Sequence, residues 1–216
     1  MARVKIRFVA SIAEAHLAIA HGDDALGLVA RMPSGPGPIA DQRIASIAAA
    51  VPPPTHTFLL SSETSVRNVV AHHARTRTTT IQLVDALQDG GLAERRATPP
   101  GGRLVQVVHM RDAASVDEAL RAAEHVDHVL LDPGDPGRAV KELGGTGRTH
   151  DGSISRRIVD QCPVPVFLAG GLNPGNVARA IAQVRPHGVD VCSGVRTGGA
   201  LDPLKLAAFV AAVRAA

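Results

Sequence analysis

The sequence predicts an α/β protein built as a single (β/α)8 TIM barrel over residues 1–216. Three observations lead there. Short apolar, β-branched runs recur eight times along the chain, Ala-rich segments of helical periodicity separate them, and nothing in the middle reads as a linker. Strands alternating with helices imply a parallel sheet, because parallel neighbours are joined by crossover helices. An open doubly wound sheet satisfies the same pattern. Even spacing favours closure: 216 residues shared among eight units give 27 per unit, tight but workable for a strand and its helix.

The expected strands are 4–9, 25–29, 57–60, 80–84, 104–108, 128–131, 164–168 and 189–192. Helices are expected over 11–21 and 65–75, each opened by a serine, and a stunted fourth helix over about 91–97, ahead of Pro99-Pro100-Gly101-Gly102. Ser115 opens another, with Glu118 three residues on in capping-box spacing. Asn173-Pro174 starts a helix with proline in its first turn, and Asp202-Pro203 starts the last, 204–214.

Composition narrows the function classes. Hydrophobic residues make up 45% and charged residues 20%, as in ordinary globular chains and unlike disordered ones. No apolar run is long enough to span a bilayer. Aromatic residues are 2%, with four Phe and no Trp or Tyr, which argues against stacking on nucleic acid. The net charge of +3 comes without a polybasic run. Met1-Ala2-Arg3-Val4-Lys5 leads straight into the first strand without signal-peptide anatomy, so a cytoplasmic setting is expected. There Cys162 and Cys192, which lack metal-ligand spacing, are expected as free thiols. No nucleic-acid or membrane partner is expected, and the protein is expected as a monomer or homodimer.

Glycines cluster after the last three strands. Gly144-Gly145-Thr146-Gly147-Arg148-Thr149 follows strand six, Ala169-Gly170-Gly171-Leu172-Asn173-Pro174 follows strand seven, and Cys192-Ser193-Gly194-Val195 closes strand eight. Glycine lets the backbone approach a ligand closely, and successive amide groups beside helix N-termini form an anion site. In barrels the loops after strands seven and eight commonly hold phosphate. The phosphate-binding residues are therefore expected to be Gly144, Gly145, Thr146, Gly147, Gly170, Gly171, Ser193 and Gly194.

These three segments, with Gly175-Asn176-Val177 and Gly188-Val189-Asp190-Val191, resemble the phosphoribosylanthranilate isomerase family of tryptophan biosynthesis. The likeness is dense from about Val129 onward. Before that it lies in layout: Val4-Lys5-Ile6, Asp24-Ala25-Leu26-Gly27 and Ile81-Gln82-Leu83. The resemblance implies a barrel that takes a small phosphorylated sugar-amine and carries out an Amadori rearrangement, an aldose-to-ketose isomerisation, with neither metal nor organic cofactor. That reaction needs an acid to open the ribose ring and a base to remove the C2 proton. The family's acid is an Asp ending strand six, which the resemblance places at Asp132.

The base position departs from the family. Where the family has Cys followed by Gly after the Lys-Ile pair, this chain has Arg7 and Phe8. A guanidinium cannot take up a proton near neutrality, and one aimed at Asp132 would hold that carboxylate ionised and weaken it as an acid. The segment after strand two, Met32-Pro33-Ser34-Gly35-Pro36, lacks the family's arginine, and Val84-Asp85 stands in place of the family's His-Gly. After the loop threonine, His150-Asp151-Gly152 replaces Phe-Asp-Trp. The residues expected at the reacting end are thus Asp132 and Arg7, with His109 and Asp190 as substrate contacts. His109 doubles as a substitute base, and Asp190 has the alternative of a buried pair with Lys5. Two functional readings follow: an isomerase of the family type, or a divergent paralogue that binds a phosphorylated sugar with a different or lost activity.

Overall fold

The chain was analysed as a computed structural model that describes residues 1–32, 37–88, 90–97, 102–133 and 152–216. Eight parallel strands close in sequence order: β1 (Arg3–Arg7), β2 (Ala25–Val29), β3 (His56–Ser61), β4 (Thr80–Leu83), β5 (Arg103–His109), β6 (His128–Asp132), β7 (Val166–Leu168) and β8 (Gly188–Val191). Closure is made by β1 against β8, with Arg3 opposite Gly188 and Lys5 opposite Asp190. Between strands run α1 (Ile12–His21), α2 (Asp41–Ala50), α3 (Val66–Thr76), α4 (Gly91–Ala97), α5 (Ala114–Ala123), α6 (Gly152–Gln161) and α7 (Val177–Val184), and α8 (Pro203–Arg214) follows β8. Among the described residues no helix is long and apolar enough to cross a membrane.

The apolar runs form strands because both faces of this sheet are covered. Alternate residues divide between two environments. Val29, Leu60, Val105, Val107 and Leu130 turn inward and fill the barrel. Ile6, Leu26, Leu59 and Ile44 pack outward between one half of the sheet and its helices. Ile81, Leu104, Val108 and Val129 do the same on the other half. With so few aromatics, the interior relies on Phe58 and Phe167, which meet edge to face with ring centroids 6.3 Å apart. Gly188 is required there, since a side chain at that position would run into the Phe167 ring.

Caps follow the sequence in three helices. Ser11 accepts from the Glu14 amide, Ser65 from the Asn68 amide, and Asp202 from the Leu204 and Lys205 amides. Two expected starts are corrected. α5 begins at Ala114, one residue before Ser115. That side chain turns back to accept from the Arg111 amide, while Asp112 caps Ala114. α7 begins at Val177, because Asn173 and Asn176 first close a side-chain-bonded turn: the Asn173 amide donates to Asn176 Oδ1 and the Gly175 amide to Asn173 Oδ1. After β8, a short 3-10 turn and a two-stranded hairpin, β9 (Arg196–Thr197) with β10 (Ala200–Leu201), precede α8.

One chain of side chains has the look of a hydrolase and the burial of a staple. Ser61 Oγ lies 3.3 Å from His72 Nδ1, and His72 Nε2 lies 3.0 Å from Asp41 Oδ1. Ser61 has no exposed surface, so no substrate reaches it, and the chain ties β3 to α2 and α3. Packing carries the stability elsewhere. Phe209 on α8 is fully buried in the shell core. Phe209→Ala is expected to cost about 3–5 kcal/mol, read as a lowered urea midpoint at unchanged slope.

Candidate active site

β1 sends Val4 and Ile6 outward, so Lys5 and Arg7 point into the barrel. Both are buried, and so are the two carboxylates they meet. Arg7 Nη1 lies 2.9 Å from Asp132 Oδ2 at the end of β6, and Arg7 Nε lies 3.4 Å from Asp190 Oδ2 on β8. Lys5 Nζ lies 3.2 Å from Asp190 Oδ1 and donates to Gln82 Oε1 on β4 at 2.8 Å. Two cations on one strand thus face two carboxylates on two others, which is how charge is tolerated at such depth. The Arg7–Asp132 contact is a hydrogen bond, whereas the contacts of Asp190 are charge contacts without hydrogen-bond geometry. Burial lowers the Lys5 pKa against the pull of Asp190. For Arg7 burial works the same way, but Asp190 and Asp132 outweigh it and raise the guanidinium above its ordinary value. Arg7 is a permanent cation.

Beside it, Phe8 takes φ +65°, a left-handed conformation that costs a residue with a Cβ about 1–3 kcal/mol. Its ring is buried against Gly37 and lies 5.6 Å from the Arg7 guanidinium carbon. Arg196 holds this backbone in place: Nη2 donates to the Phe8 carbonyl at 2.7 Å and to the Arg7 carbonyl at 3.2 Å, while Nη1 pairs with Glu14 at 3.0 Å.

His109 ends β5 directly opposite Asp132 in register. Nε2 lies 2.9 Å from the Val84 carbonyl, which can only accept, so Nε2 donates there. Nδ1 makes no hydrogen bond among the described residues. Cys192 is no alternative nucleophile: burial pushes its thiol up to about 11, against the opposing pull of Arg7 and Arg196.

The glycine turns lie at the same end. Gly170 and Gly171 take φ +98° and +60°. At Gly194 a side chain would strike the Leu172 carbonyl and Asn173, so the turn after β8 is in backbone contact with the loop after β7. The expected phosphate residues Gly144, Gly145, Thr146 and Gly147, with Arg148 and His150, lie outside the described residues.

A sequence profile of the N-(5'-phosphoribosyl)anthranilate (PRA) isomerase family matches residues 62–212. Curated PRA isomerases align along nearly the whole chain. The one from Haloferax volcanii is 37% identical over 219 residues, covering 100% of this chain and 95% of its own, and that of Desulforudis audaxviator is 37% identical with both chains covered fully. The chain belongs to the PRA isomerase family. The solved PRA isomerase of Thermotoga maritima has a TM-score of 0.85 at 25% identity, covering 100% of both chains. The enzyme from Jonesia denitrificans has 0.78 at 29% identity, covering 99% of this chain and 97% of its own.

Within that family frame, the structure brings Arg7, Asp132 and Asp190 into one cluster with His109 on the neighbouring strand. For Asp190 the Lys5 and Arg7 pairing, with no exposed surface, is favoured over a sugar contact. The roles of Phe8, Arg196 and Glu14 were not evident in sequence. Phe8 at the family's glycine position was the available signal, whereas Arg196 meets Glu14 across 182 residues and no local pattern carries that. Arg7→Met removes the hydrogen bond to Asp132 and one of the two cations beside Asp190, and is expected to destabilise by roughly 3 kcal/mol at pH 7 in urea denaturation.

Proposed function

We propose that this barrel binds a phosphoribosylated amine and catalyses the family's aldose-to-ketose rearrangement, with Asp132 and His109 as the proton-handling groups. The reading is carried by one observation: Asp132, His109 and the glycine turns after β7 and β8 share the C-terminal end of the barrel, where barrel enzymes do their chemistry. The phosphate would sit on backbone amides of those turns. Protonation of the ribose ring oxygen opens the ring to the imine, and removal of the C2 proton sends its electron pair toward the imine to give the enol amine. Reprotonation of the tautomer yields the ketose. His109 Nδ1 has no hydrogen-bond partner among the described residues and is the nitrogen assigned to C2 proton removal. Arg7 donates to the Asp132 carboxyl, so the ring oxygen has to compete with a guanidinium for it, and Arg7 acts as a brake on the reaction and as its charge clamp.

The same clamp supports a second reading, a paralogue whose activity differs or is lost. Turnover of phosphoribosylanthranilate by purified protein separates the two. On the isomerase reading wild type turns over slowly, Asp132→Asn lowers kcat/KM at least about 100-fold, and Arg7→Cys raises it by about 100-fold or more. Absence of turnover in both wild type and folded Arg7→Cys would establish the paralogue instead.

A further inference from the structure

The turn after β8 and the strand end that carries Arg7 are joined through one residue. Ser193–Val195 forms the 3-10 turn, and the Arg196 amide closes it by donating to the Ser193 carbonyl. The Arg196 side chain crosses from there to the end of β1, where Nη2 donates to the Phe8 carbonyl at 2.7 Å and to the Arg7 carbonyl at 3.2 Å. Its other nitrogen is anchored as well. Nη1 pairs with Glu14 Oε1 at 3.0 Å and donates to the Gly199 carbonyl at 2.9 Å. Glu14 in turn accepts from the Ala10 amide at 2.9 Å and from the Leu201 amide at 3.1 Å, so both its oxygens are committed.

Two features make this connection stiff at one end and movable at the other. The Arg196 side chain keeps only 9% of its surface, unlike an exposed ion pair that solvent loosens and salt screens. Gly194 abuts the Leu172 carbonyl and Asn173, so the turn cannot give way toward the loop after β7. At the far end Arg196 holds a strained peptide. Phe8 keeps its φ of +65° while its carbonyl is bonded to Nη2. Loosened, that backbone relaxes toward negative φ and takes the adjoining Arg7 with it. Coupling between two places in a protein needs an element with two arrangements, and Phe8 supplies one. What moves with Arg7 is its 2.9 Å hydrogen bond to Asp132.

We propose, on the reading that phosphate seats on the turn after β8, that Arg196 is a positioning residue through which an occupied turn shifts the Arg7–Asp132 clamp. Phosphate on the Ser193 and Gly194 amides draws the turn. Arg196 follows because its amide closes that turn, and its grip on the Phe8 and Arg7 carbonyls moves the guanidinium against Asp132. The remote phosphate of a substrate thereby adjusts the groups at the reacting carbon, which is how binding energy away from the chemistry serves catalysis.

Inorganic phosphate is the probe, because it reaches the turn without the sugar that would touch the clamp directly. In NMR spectra of the nitrogen-labelled whole protein, the Ser193 and Gly194 amides should shift on titration. The Arg7 Nε–H signal, assigned by its loss in Arg7→Met, should shift along the same saturation curve. In Arg196→Met the two amides should respond as before while the Arg7 signal moves at least about threefold less. Arg196→Lys keeps the charge but lacks the fork that holds Glu14 and two carbonyls together, so it carries the same expectation and serves if Arg196→Met does not fold. A purely structural Arg196 would alter stability without separating the two responses. Silent Ser193 and Gly194 amides would sink the phosphate seat and this link together. Responding amides with an unmoved Arg7 signal in wild type, or an Arg7 shift that persists undiminished in a folded Arg196 variant, would overturn the link and leave the phosphate seat standing.

Discussion

Everything at the C-terminal end of this barrel is arranged around one buried guanidinium. Arg7 lies between Asp132 and Asp190, with Lys5 balancing the remaining charge from below. Taking four charges out of water is unfavourable unless each meets an opposite charge at short range, and here each of the four does. The cluster ties together β1, β6 and β8, the strand pair that closes the barrel included. Its neighbours adjust to it: Phe8 holds a left-handed backbone beside it, and Arg196 and Glu14 fasten that backbone from outside.

This constraint separates the two parts of the proposed reaction. Gripping a phosphate depends on backbone amides and glycine conformations, and the turns after β7 and β8 have both. Moving protons depends on side-chain ionisation, and here the presumed acid is already bound to a permanent cation. Burial keeps Cys192 protonated, while the His109 Nδ1 has no hydrogen-bond partner among the described residues.

The eight strands were legible because each is a short apolar run whose two faces are both covered, and that requirement writes itself into every run. Caps formed by Ser11, Ser65 and Asp202 were legible for the same local reason. Ser115 was misread: capping-box spacing fits it, but its hydroxyl has a nearer amide at Arg111 and is buried there. At the site, Asp132 and Arg7 were identifiable by their motif positions, and the Lys5–Asp190 pair by two charges inside strands. The Phe8 strain and the Arg196 tether come from contacts between distant segments, which periodicity does not encode.

A double-mutant cycle on Arg7 and Asp132, measured by urea unfolding at pH 7, tests the central claim most directly. Arg7→Met takes the guanidinium from the Asp132 carboxylate and Asp132→Asn removes that charge, so the double variant should recover at least about 1 kcal/mol relative to the sum of the singles. Effects that add to within about 0.5 kcal/mol would show that the two side chains do not act as a pair, and the account of the site would fail with them.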